Sequence, residues 1–518
     1  MTNFQDKANF IWSIADLLRG DYKQAEYGKV ILPFTILRRL DCLLEDTKPQ
    51  VLKHYEKIKD QGDEMIDMIL NQKSGYRFFH NHSPFTMEKL VADPDNIASN
   101  LRNYIAGFSV SVKEIFENFR FDEQITRLYE ADLLFQITKE FNNIDLYELH
   151  ELEMGYIFEH LIRKFAEASN ETAGEHFTPR EVIKLMVHLL FAEDSEIYRD
   201  GIIKTMYDPA CGTGGMLSVA DQYFHDHNTS ESSVLNLFGQ ELNPESYAIC
   251  KADLMIKGQD PQNIKQGNSF THDGLPNEKF DYMLSNPPFG VNWKKVKDKI
   301  KTEHEEMGFG GRFGAGLPSV SDGSLLFIQH MISKMNPEGS RIAIVFSGSP
   351  LFTGQAGQGV SNIRKWIIEN DLLEGIVALP NQLFYNTGIN TYIWLLNNNK
   401  RPKRKGKIQL VNAVEYYREM KRSLGEKRHE IAEEQIDELT QVFCNFENTE
   451  ISKVFDNKNF GYTRIQVERP QRDEDGNVVT DSKGRPKPET NLRDYENVPL
   501  KEDIEEYFNR EVKPHVPD

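Results

Sequence analysis

Residues 204–220 read KTMYDPACGTGGMLSVA: an apolar run, a glycine-rich turn and a helix-forming segment. The run at 204–207 predicts a strand, and Asp208 follows it directly. Glycines at a strand-to-helix turn let the backbone approach a ligand closely. The turn is not Gly-x-Gly-x-x-Gly, and it lacks the lysine of a phosphate-binding loop. The stretch therefore predicts an α/β domain with a different kind of ligand at this turn.

Further short apolar runs end in turn signals and alternate with helical stretches. The predicted strands are 204–207, 234–239, 264–266, 280–284, 341–346, 374–379, 391–396 and 407–411. Such alternation is typical of a largely parallel sheet. Ligands of doubly wound sheets bind at the carboxyl ends of the strands, so the residues after each strand are the candidate site.

Two acidic residues follow consecutive predicted strands. Asp208 heads the glycine turn, where a carboxylate suits the amino group of a methionine moiety. Glu241 follows the next strand, where a carboxylate can accept hydrogen bonds from both ribose hydroxyls of a nucleoside. Together they suggest S-adenosylmethionine. The alternative is a tight turn without a ligand, beside a surface glutamate.

The fourth predicted strand leads into Asn286-Pro287-Pro288-Phe289. An Asn side-chain oxygen and the Pro287 carbonyl can accept both hydrogens of an exocyclic amine. That interaction turns the nitrogen lone pair toward an electrophilic methyl group. Phe289 offers a face on which a base can stack. Alone, such a tetrapeptide is more often a plain turn, but its place downstream of the glycine loop favours catalysis.

The rest of the sequence limits the class of protein. Residues 1 to about 170 read as helical, and within them 30–44 has apolar residues at helical spacing. The 518 residues carry 61 Lys+Arg against 80 Asp+Glu, a formal charge of −19. A protein that grips nucleic acid alone is usually basic, so a partner is expected to supply much of any such grip. The scattered cysteines and histidines predict no metal site. No long apolar run or signal peptide is evident, which predicts a cytoplasmic location and no membrane partner.

These motifs resemble the modification (M, or HsdM) subunit of type I restriction–modification systems, an N6-adenine DNA methyltransferase. The resemblance rests on Phe-Thr-Pro within 174–182, on the glycine loop, on Asn-Pro-Pro-Phe and on the late segment 379–391. It covers most of residues 1 to 465. It implies an α/β, Rossmann-like S-adenosylmethionine-dependent methyltransferase sheet, with an N-terminal helical domain and a helical C-terminal extension. The expected boundaries are 1–165, 166–412 and 413–518, the last serving partner contact.

The resemblance also implies roles for individual residues. Asn286, Pro287, Pro288 and Phe289 would be catalytic, and Phe384 or Tyr385 would stack on the flipped target base. Asn268 stands where relatives often carry Asp, and it can still hydrogen-bond the cofactor adenine. The implied cofactor-binding residues are Glu175, His176, Phe177, Thr178, Pro179, Arg180, Asp208, Gly212, Thr213, Gly214, Gly215, Glu241 and Asn268. Taken alone, Thr178-Pro179 would simply start a helix.

The expected partners are double-stranded DNA, a specificity subunit flanked by two copies of this chain, and a restriction subunit. The sequence predicts a charged helix over 415–445, with Ile436, Leu439 and Phe443 as an apolar docking stripe beside the N-terminal helices. The alternatives are a self-sufficient adenine DNA methyltransferase, a methyltransferase acting on protein glutamine or ribosomal RNA, and a non-catalytic assembly subunit. The intact glycine loop and Asn286 motif argue against the last of these.

Overall fold

The computed structural model describes residues 4–149, 151–169, 178–228, 230, 232–385 and 387–516. Three of the expected cofactor residues, Glu175, His176 and Phe177, lie outside the described residues.

The N-terminal part is helical, as predicted. Its helices are α1 Phe4–Ile14, α2 Gly28–Leu44, α3 Lys48–Ile58, α4 Asp63–Ser74, α5 Met87–Ala92, α6 Ile97–Ala106, α7 Val110–Asn118, α8 Phe121–Glu130, α9 Leu134–Asn142 and α10 Glu151–Ser169. Helix α2 runs through the middle of their common core, where Val30, Phe34 and Leu37 are fully buried. Helix α2 is buried on almost every side, so its burial extends well beyond the apolar positions at helical spacing that the sequence shows.

The strands that follow are β1 Ile203–Asp208, β2 Val234–Glu241, β3 Ile264–Gln266, β4 Tyr282–Ser285, β5 Arg341–Ser347, β6 Leu373–Ala378, β7 Thr391–Asn397, β8 Lys407–Asn412, β9 Arg418–Leu424, β10 Lys427–Glu430, β11 Ser452–Asp456, β12 Tyr462–Val467 and β13 Asp494–Pro499. Nine of them form one sheet in the order β11-β8-β6-β7-β5-β4-β1-β2-β3. All eight predicted strands are confirmed. The structure adds β11, which pairs antiparallel with β8 at the edge of the sheet.

The remaining helices are α11 Arg180–Phe191, α12 Gly215–His227, α13 Pro244–Ile256, α14 Lys297–Met307, α15 Ser324–Ser333, α16 Ser349–Phe352, α17 Gly359–Glu369, α18 Glu433–Asn445 and α19 Ile504–Tyr507. Helix α13 joins the sheet to the helical domain, since Tyr247 and Lys251 donate hydrogen bonds to Glu114 of α7 at 2.8 and 2.5 Å. The side chain of Ile249, also on α13, belongs to the same core as α2.

The predicted helix over 415–445 and its docking stripe are wrong. The first half of that segment is the β9–β10 hairpin, and only Glu433–Asn445 is helical. Ile436, Leu439 and Phe443 are at most 1% exposed because α18 packs on the sheet and on α11. A Cβ on Gly375 of β6 would lie 2.8 Å from the Phe443 ring, which shows how closely the two elements fit. The apolar stripe is therefore buried within the chain and is not available to a partner.

The tail after β11 is largely extended and exposed. Strands β12 and β13 pair antiparallel, and the polar segment between them continues as a hairpin through bridges such as Pro470 to Pro488. The glycines and prolines of 470–490 indicate an exposed hairpin or a linker, and the structure shows the hairpin. Within the described residues, no helix combines the length and hydropathy needed to cross a membrane.

Candidate functional site

Four neighbouring parallel strands end at one cavity. The order β4-β1-β2-β3 places their carboxyl ends, at Ser285, Asp208, Glu241 and Gln266, side by side. The cavity there measures about 410 Å³. Its lining includes the expected site residues Thr178, Asp208, Gly212, Thr213, Gly215, Glu241, Asn268, Asn286 and Pro288. Residues spread over more than 100 positions of sequence thus share one site because parallel strands end at the same edge.

The glycine turn requires glycine at two positions. Gly212 and Gly214 have φ angles of +54° and +85°, in the left-handed region that favours glycine. A Cβ on Gly214 would lie 2.8 Å from Sγ of Cys250, so the turn also has no room for a side chain. Helix α12 begins at the next residue, Gly215, which lines the cavity. Its first amides are suited to a polar or anionic ligand group.

Asp208 is buried at the head of this turn and is 1% exposed. Its Oδ1 accepts hydrogen bonds from the Ala210 amide at 2.9 Å and from the Ser285 hydroxyl at 3.0 Å. Burial raises the pKa of Asp208 to about 7, and the nearby Glu241 carboxylate adds to the effect. A cationic group in the cavity would favour the ionised carboxylate, so the site suits an ammonium ligand.

Glu241 and Asn268 accept hydrogen bonds from backbone amides in the loops after β2 and β3. The Glu241 carboxylate accepts hydrogen bonds from the amides of Gly212 at 2.9 Å and Asn243 at 2.7 Å. It therefore ties the end of β2 to the glycine turn while lining the cavity. Asn268 Oδ1 accepts from the amides of Phe270 and Thr271 at 2.9 and 3.3 Å. Its side-chain oxygen thus closes the turn after β3.

Asn286 has one satisfied and one unsatisfied side-chain atom. Its Nδ2 donates to the Thr178 hydroxyl oxygen at 2.8 Å. Its Oδ1 is buried, and no donor from the described part of the chain reaches it. A buried acceptor without a partner costs about 1–3 kcal/mol. A ligand amine at this point would remove that cost, and Asn286 lines the cavity together with Pro288.

The aromatic residues expected at a base pocket lie beside the same motif. The Phe289 and Phe384 rings meet edge to face, with centroids 5.9 Å apart. Phe384 is 2% exposed and belongs to the core of the sheet, whereas Tyr385 is half-buried. The β9–β10 hairpin supports this loop, because the Glu426 amide donates to the Tyr385 carbonyl at 3.0 Å. Of the two predicted residues, Tyr385 is the more accessible to a ligand.

Arg180 does not line the cavity, in contrast to Thr178. Its guanidinium donates to Glu159 of α10 at 2.9 Å and lies 3.8 Å from the Tyr156 ring centroid. Glu159 itself lines the cavity and was missed in the sequence. The sequence feature that could have indicated Glu159 is a carboxylate next to the buried residues Phe158 and Leu161 of α10. Pro179 directly precedes α11, as expected for a helix start.

A glycine-rich loop over 308–316 contacts the residues that line the cavity after β3. Arg312 donates to the carbonyls of Ser269 and Phe270 at 2.8 and 2.6 Å, and it pairs with Glu303 at 2.6 Å. Phe313 is fully buried beside Phe270. The five glycines of 308–316 predict either a mobile loop that orders over DNA or a disordered insertion, whereas these contacts anchor the segment. Phe270 and Phe327, which also line the cavity, were missed because their partners are distant in sequence.

Comparison with known families identifies two matching regions. Residues 150–464 match the family described as N-6 DNA Methylase, and residues 7–141 match the HsdM N-terminal domain. The first match alone covers more than half of the chain and includes every described residue of the site.

Individual relatives agree with this assignment. The type I restriction enzyme MjaIX methylase subunit of Methanocaldococcus jannaschii is 26% identical over 458 residues, 85% of this chain and 77% of that protein. The HindI methylase subunit of Haemophilus influenzae is 31% identical over 261 residues, about half of each chain. A type I methyltransferase subunit structure from Streptococcus thermophilus superposes with a TM-score of 0.69 at 21% identity, covering 88% of this chain and 97% of its own. That last likeness shows the shared fold.

Proposed function

Since the chain belongs to the N-6 DNA methylase family, we propose that it is the methylation subunit of a type I restriction–modification system. The enzyme is an adenine-specific DNA methyltransferase with S-adenosylmethionine as methyl donor. The observation that carries the residue-level proposal is the buried, unpaired Oδ1 of Asn286 at the cavity.

We assign cofactor binding to the cavity at the ends of β1, β2 and β3. The cavity of about 410 Å³ is of the size that a nucleoside with an amino-acid tail requires. Asp208 would meet the ammonium group, and Glu241 the ribose hydroxyls. The glycine turn, from Gly212 to Gly215, would lie against the tail, because its three glycines let the backbone approach a ligand closely. When bound, S-adenosylmethionine supplies an electrophilic methyl group.

Asn286 acts on the target adenine in this proposal. Its Oδ1 and the Pro287 carbonyl accept the two hydrogens of the N6 amine, which holds the nitrogen lone pair toward the methyl donor. Thr178 fixes the rotation of the Asn286 amide by accepting from Nδ2. Phe289 and Tyr385 would stack on the base, which must leave the duplex to reach them. Phe384 supports Phe289 from the core instead of contacting the base.

The proposed assembly follows from the relatives and from the charge of this chain. Proteins named as type I methylase subunits match it over most of its length. A formal charge of −19 favours help from a partner in holding DNA. We therefore propose two copies of this chain per specificity subunit, with a restriction subunit joining the full complex in the cytoplasm. With the α18 stripe buried, the helices of 1–165 and the exposed tail within 413–518 are the proposed contact surfaces.

Co-expression of this chain with a specificity subunit encoded beside it, followed by mapping of methylated adenines, tests the function. We expect N6-methyladenine at one bipartite sequence, on both strands, and only when both genes are present. The mass of the purified complex should correspond to two copies of this chain and one specificity subunit. Sequence-specific methylation by the isolated chain would contradict the partnership and indicate a self-sufficient enzyme.

A further inference from the structure

The segment after the Asn-Pro-Pro-Phe motif carries five lysines within eight residues: Lys294, Lys295, Lys297, Lys299 and Lys301. Asp298 is the one acidic residue between 294 and 302. Lys294, Lys295 and Lys299 are exposed, and the other two lysines are half-buried. No ammonium group of the five pairs with an acidic side chain of the described chain. Five lysines against one aspartate make 294–301 a concentrated positive surface on a chain whose formal charge is −19.

A second basic run lies at 400–407, and several of its cations are paired within the chain. Lys400 pairs with Asp371 at 2.6 Å. Arg404 is fully buried and pairs with Glu193 at 3.0 Å, and Lys403 lies 3.4 Å from the same carboxylate. Those cations hold α11, α18 and the sheet together. Two runs that look alike in sequence therefore differ in their partners. Lys400, Lys403 and Arg404 are paired with carboxylates, whereas none of the five lysines at 294–301 pairs with an acidic side chain of the described residues.

The lysine run is held close to the catalytic motif. Val291 lines the cavity together with Asn286, and three residues of extended chain span at most about 11 Å, so Lys294 lies within that distance of Val291. Trp293 fixes the segment: its ring is 4% exposed and its Nε1 donates to the Ser319 carbonyl at 2.9 Å. Ile300 of α14 packs into the same small core as Trp293 and Phe270. The lysines thus extend from an ordered support beside the site.

We propose that this lysine run binds DNA phosphates flanking the target adenine, with Lys294 and Lys295 as its principal contacts. The inference rests on the assignment of Asn286 to the target amine, because that assignment places the flipped nucleotide next to the run. Each neutralised phosphate releases condensed counterions, which gives binding free energy that depends on salt. An acidic chain needs such a local contact to bring the backbone of the duplex to the cavity mouth.

The test compares two double variants of the full chain, each in complex with the specificity subunit. Lys294→Gln with Lys295→Gln removes the proposed contacts. Lys405→Gln with Lys407→Gln removes the same charge from exposed positions. Lys407 starts β8, which runs parallel to β4, so it lies at the amino ends of the strands, opposite the carboxyl ends that form the cavity. Binding of a fluorescent duplex is measured by anisotropy over a range of salt concentrations. Unchanged S-adenosylmethionine affinity establishes that each variant is folded.

The Lys294/Lys295 variant should lower the slope of log affinity against log salt by about two. Each phosphate contact raises DNA affinity about eightfold when salt falls from 1 M to 0.1 M, and a variant that lacks the contact loses that gain. The control variant should keep the original slope. An unchanged slope in the Lys294/Lys295 variant, or an equal change in both variants, would overturn the phosphate site. Because the readout is DNA binding, it is separate from the proposed function, whose failure would appear as no methyl transfer by the unaltered complex.

Discussion

The side-chain amide of Asn286 donates to the hydroxyl oxygen of Thr178 at 2.8 Å, across 108 positions of sequence. Thr178 stands just before α11 and Asn286 just after β4, so the contact joins the Phe-Thr-Pro and Asn-Pro-Pro-Phe motifs. It fixes which atom of the Asn286 amide remains free, and that atom is the buried acceptor Oδ1. Two motifs that the sequence shows separately therefore meet in the structure.

Thr178→Val should reduce turnover while retaining the shape of the side chain. Without its acceptor, the Asn286 amide can rotate and present Nδ2 to the target amine. A neutral hydrogen bond contributes about 0.5–1.5 kcal/mol, so we expect up to about a tenfold loss in kcat. Thr178→Ser keeps the hydroxyl and should restore most of the rate. Equal activity of the Val and Ser variants in single-turnover methylation would show that the contact does not orient Asn286.

Glu241→Ala should weaken S-adenosylmethionine binding. The substitution removes the proposed ribose contacts and also frees the amides of Gly212 and Asn243 that the carboxylate now holds. A hydrogen bond to a charged group is worth about 1.5–3 kcal/mol, which corresponds to a tenfold loss or more. Titration calorimetry with S-adenosylmethionine measures the effect. An affinity equal to that of the unaltered chain would remove Glu241 from the site.

Cofactor affinity should rise as pH increases toward 7. Burial raises the pKa of Asp208 to about 7, so at lower pH this carboxyl is protonated in the free protein. A bound ammonium group favours the carboxylate and lowers that pKa, so binding releases a proton. Asp208→Asn should remove the pH dependence of binding in calorimetry. If the dependence persists in that variant, another group must release the proton. Asp208 also affects the folding of the free protein: its contribution to the free energy of unfolding falls as pH rises from 3.8 to about 7, because the folded state binds the proton more tightly than the unfolded state.

Gly214→Ala should destabilise the chain by about 2–4 kcal/mol. The φ angle of +85° strains a residue with a side chain, and the new Cβ would lie 2.8 Å from Cys250 Sγ. Gly258→Ala is the matched control, since its φ is +79° and no atom lies within 4 Å of the added Cβ. It should show the strain alone. In denaturant unfolding, Gly214→Ala should cost less in a Cys250→Ala background than in the unaltered chain, and an equal cost in both backgrounds would rule out the clash.

The sheet and most of the cavity could be predicted from sequence because their signals are local. Each strand of the parallel core is a short apolar run, and the residue after it lies at the ligand edge by the geometry of the fold. The same geometry predicts that Asp208, Glu241 and Asn286 lie together, and all three line the cavity. Strand β11 was not predicted, because Ser452–Asp456 is a short edge strand of mixed polarity. Its pairing with β8 depends on tertiary contact.

Tertiary contacts also explain why the docking stripe was predicted wrongly and why Glu159 was missed. The stripe of Ile436, Leu439 and Phe443 has a genuine helical period, but the period does not say what the stripe packs against. Here its partner is the chain's own sheet. In the same way, Glu159 lies in a helix preceding the methyltransferase strands and reaches the cavity only through packing. Residues contributed by another element's surface have no local signal in the sequence.

The most direct test of the account is methyl transfer by Asn286→Ala in the complex with the specificity subunit. A tritiated-methyl assay under single-turnover conditions should show a loss of at least about a hundredfold, since the variant removes a group that acts on the reacting nitrogen. Calorimetry should show S-adenosylmethionine affinity close to that of the unaltered complex, because the Asn286 contacts are to the target amine. Near-normal transfer by Asn286→Ala would contradict the proposed mechanism.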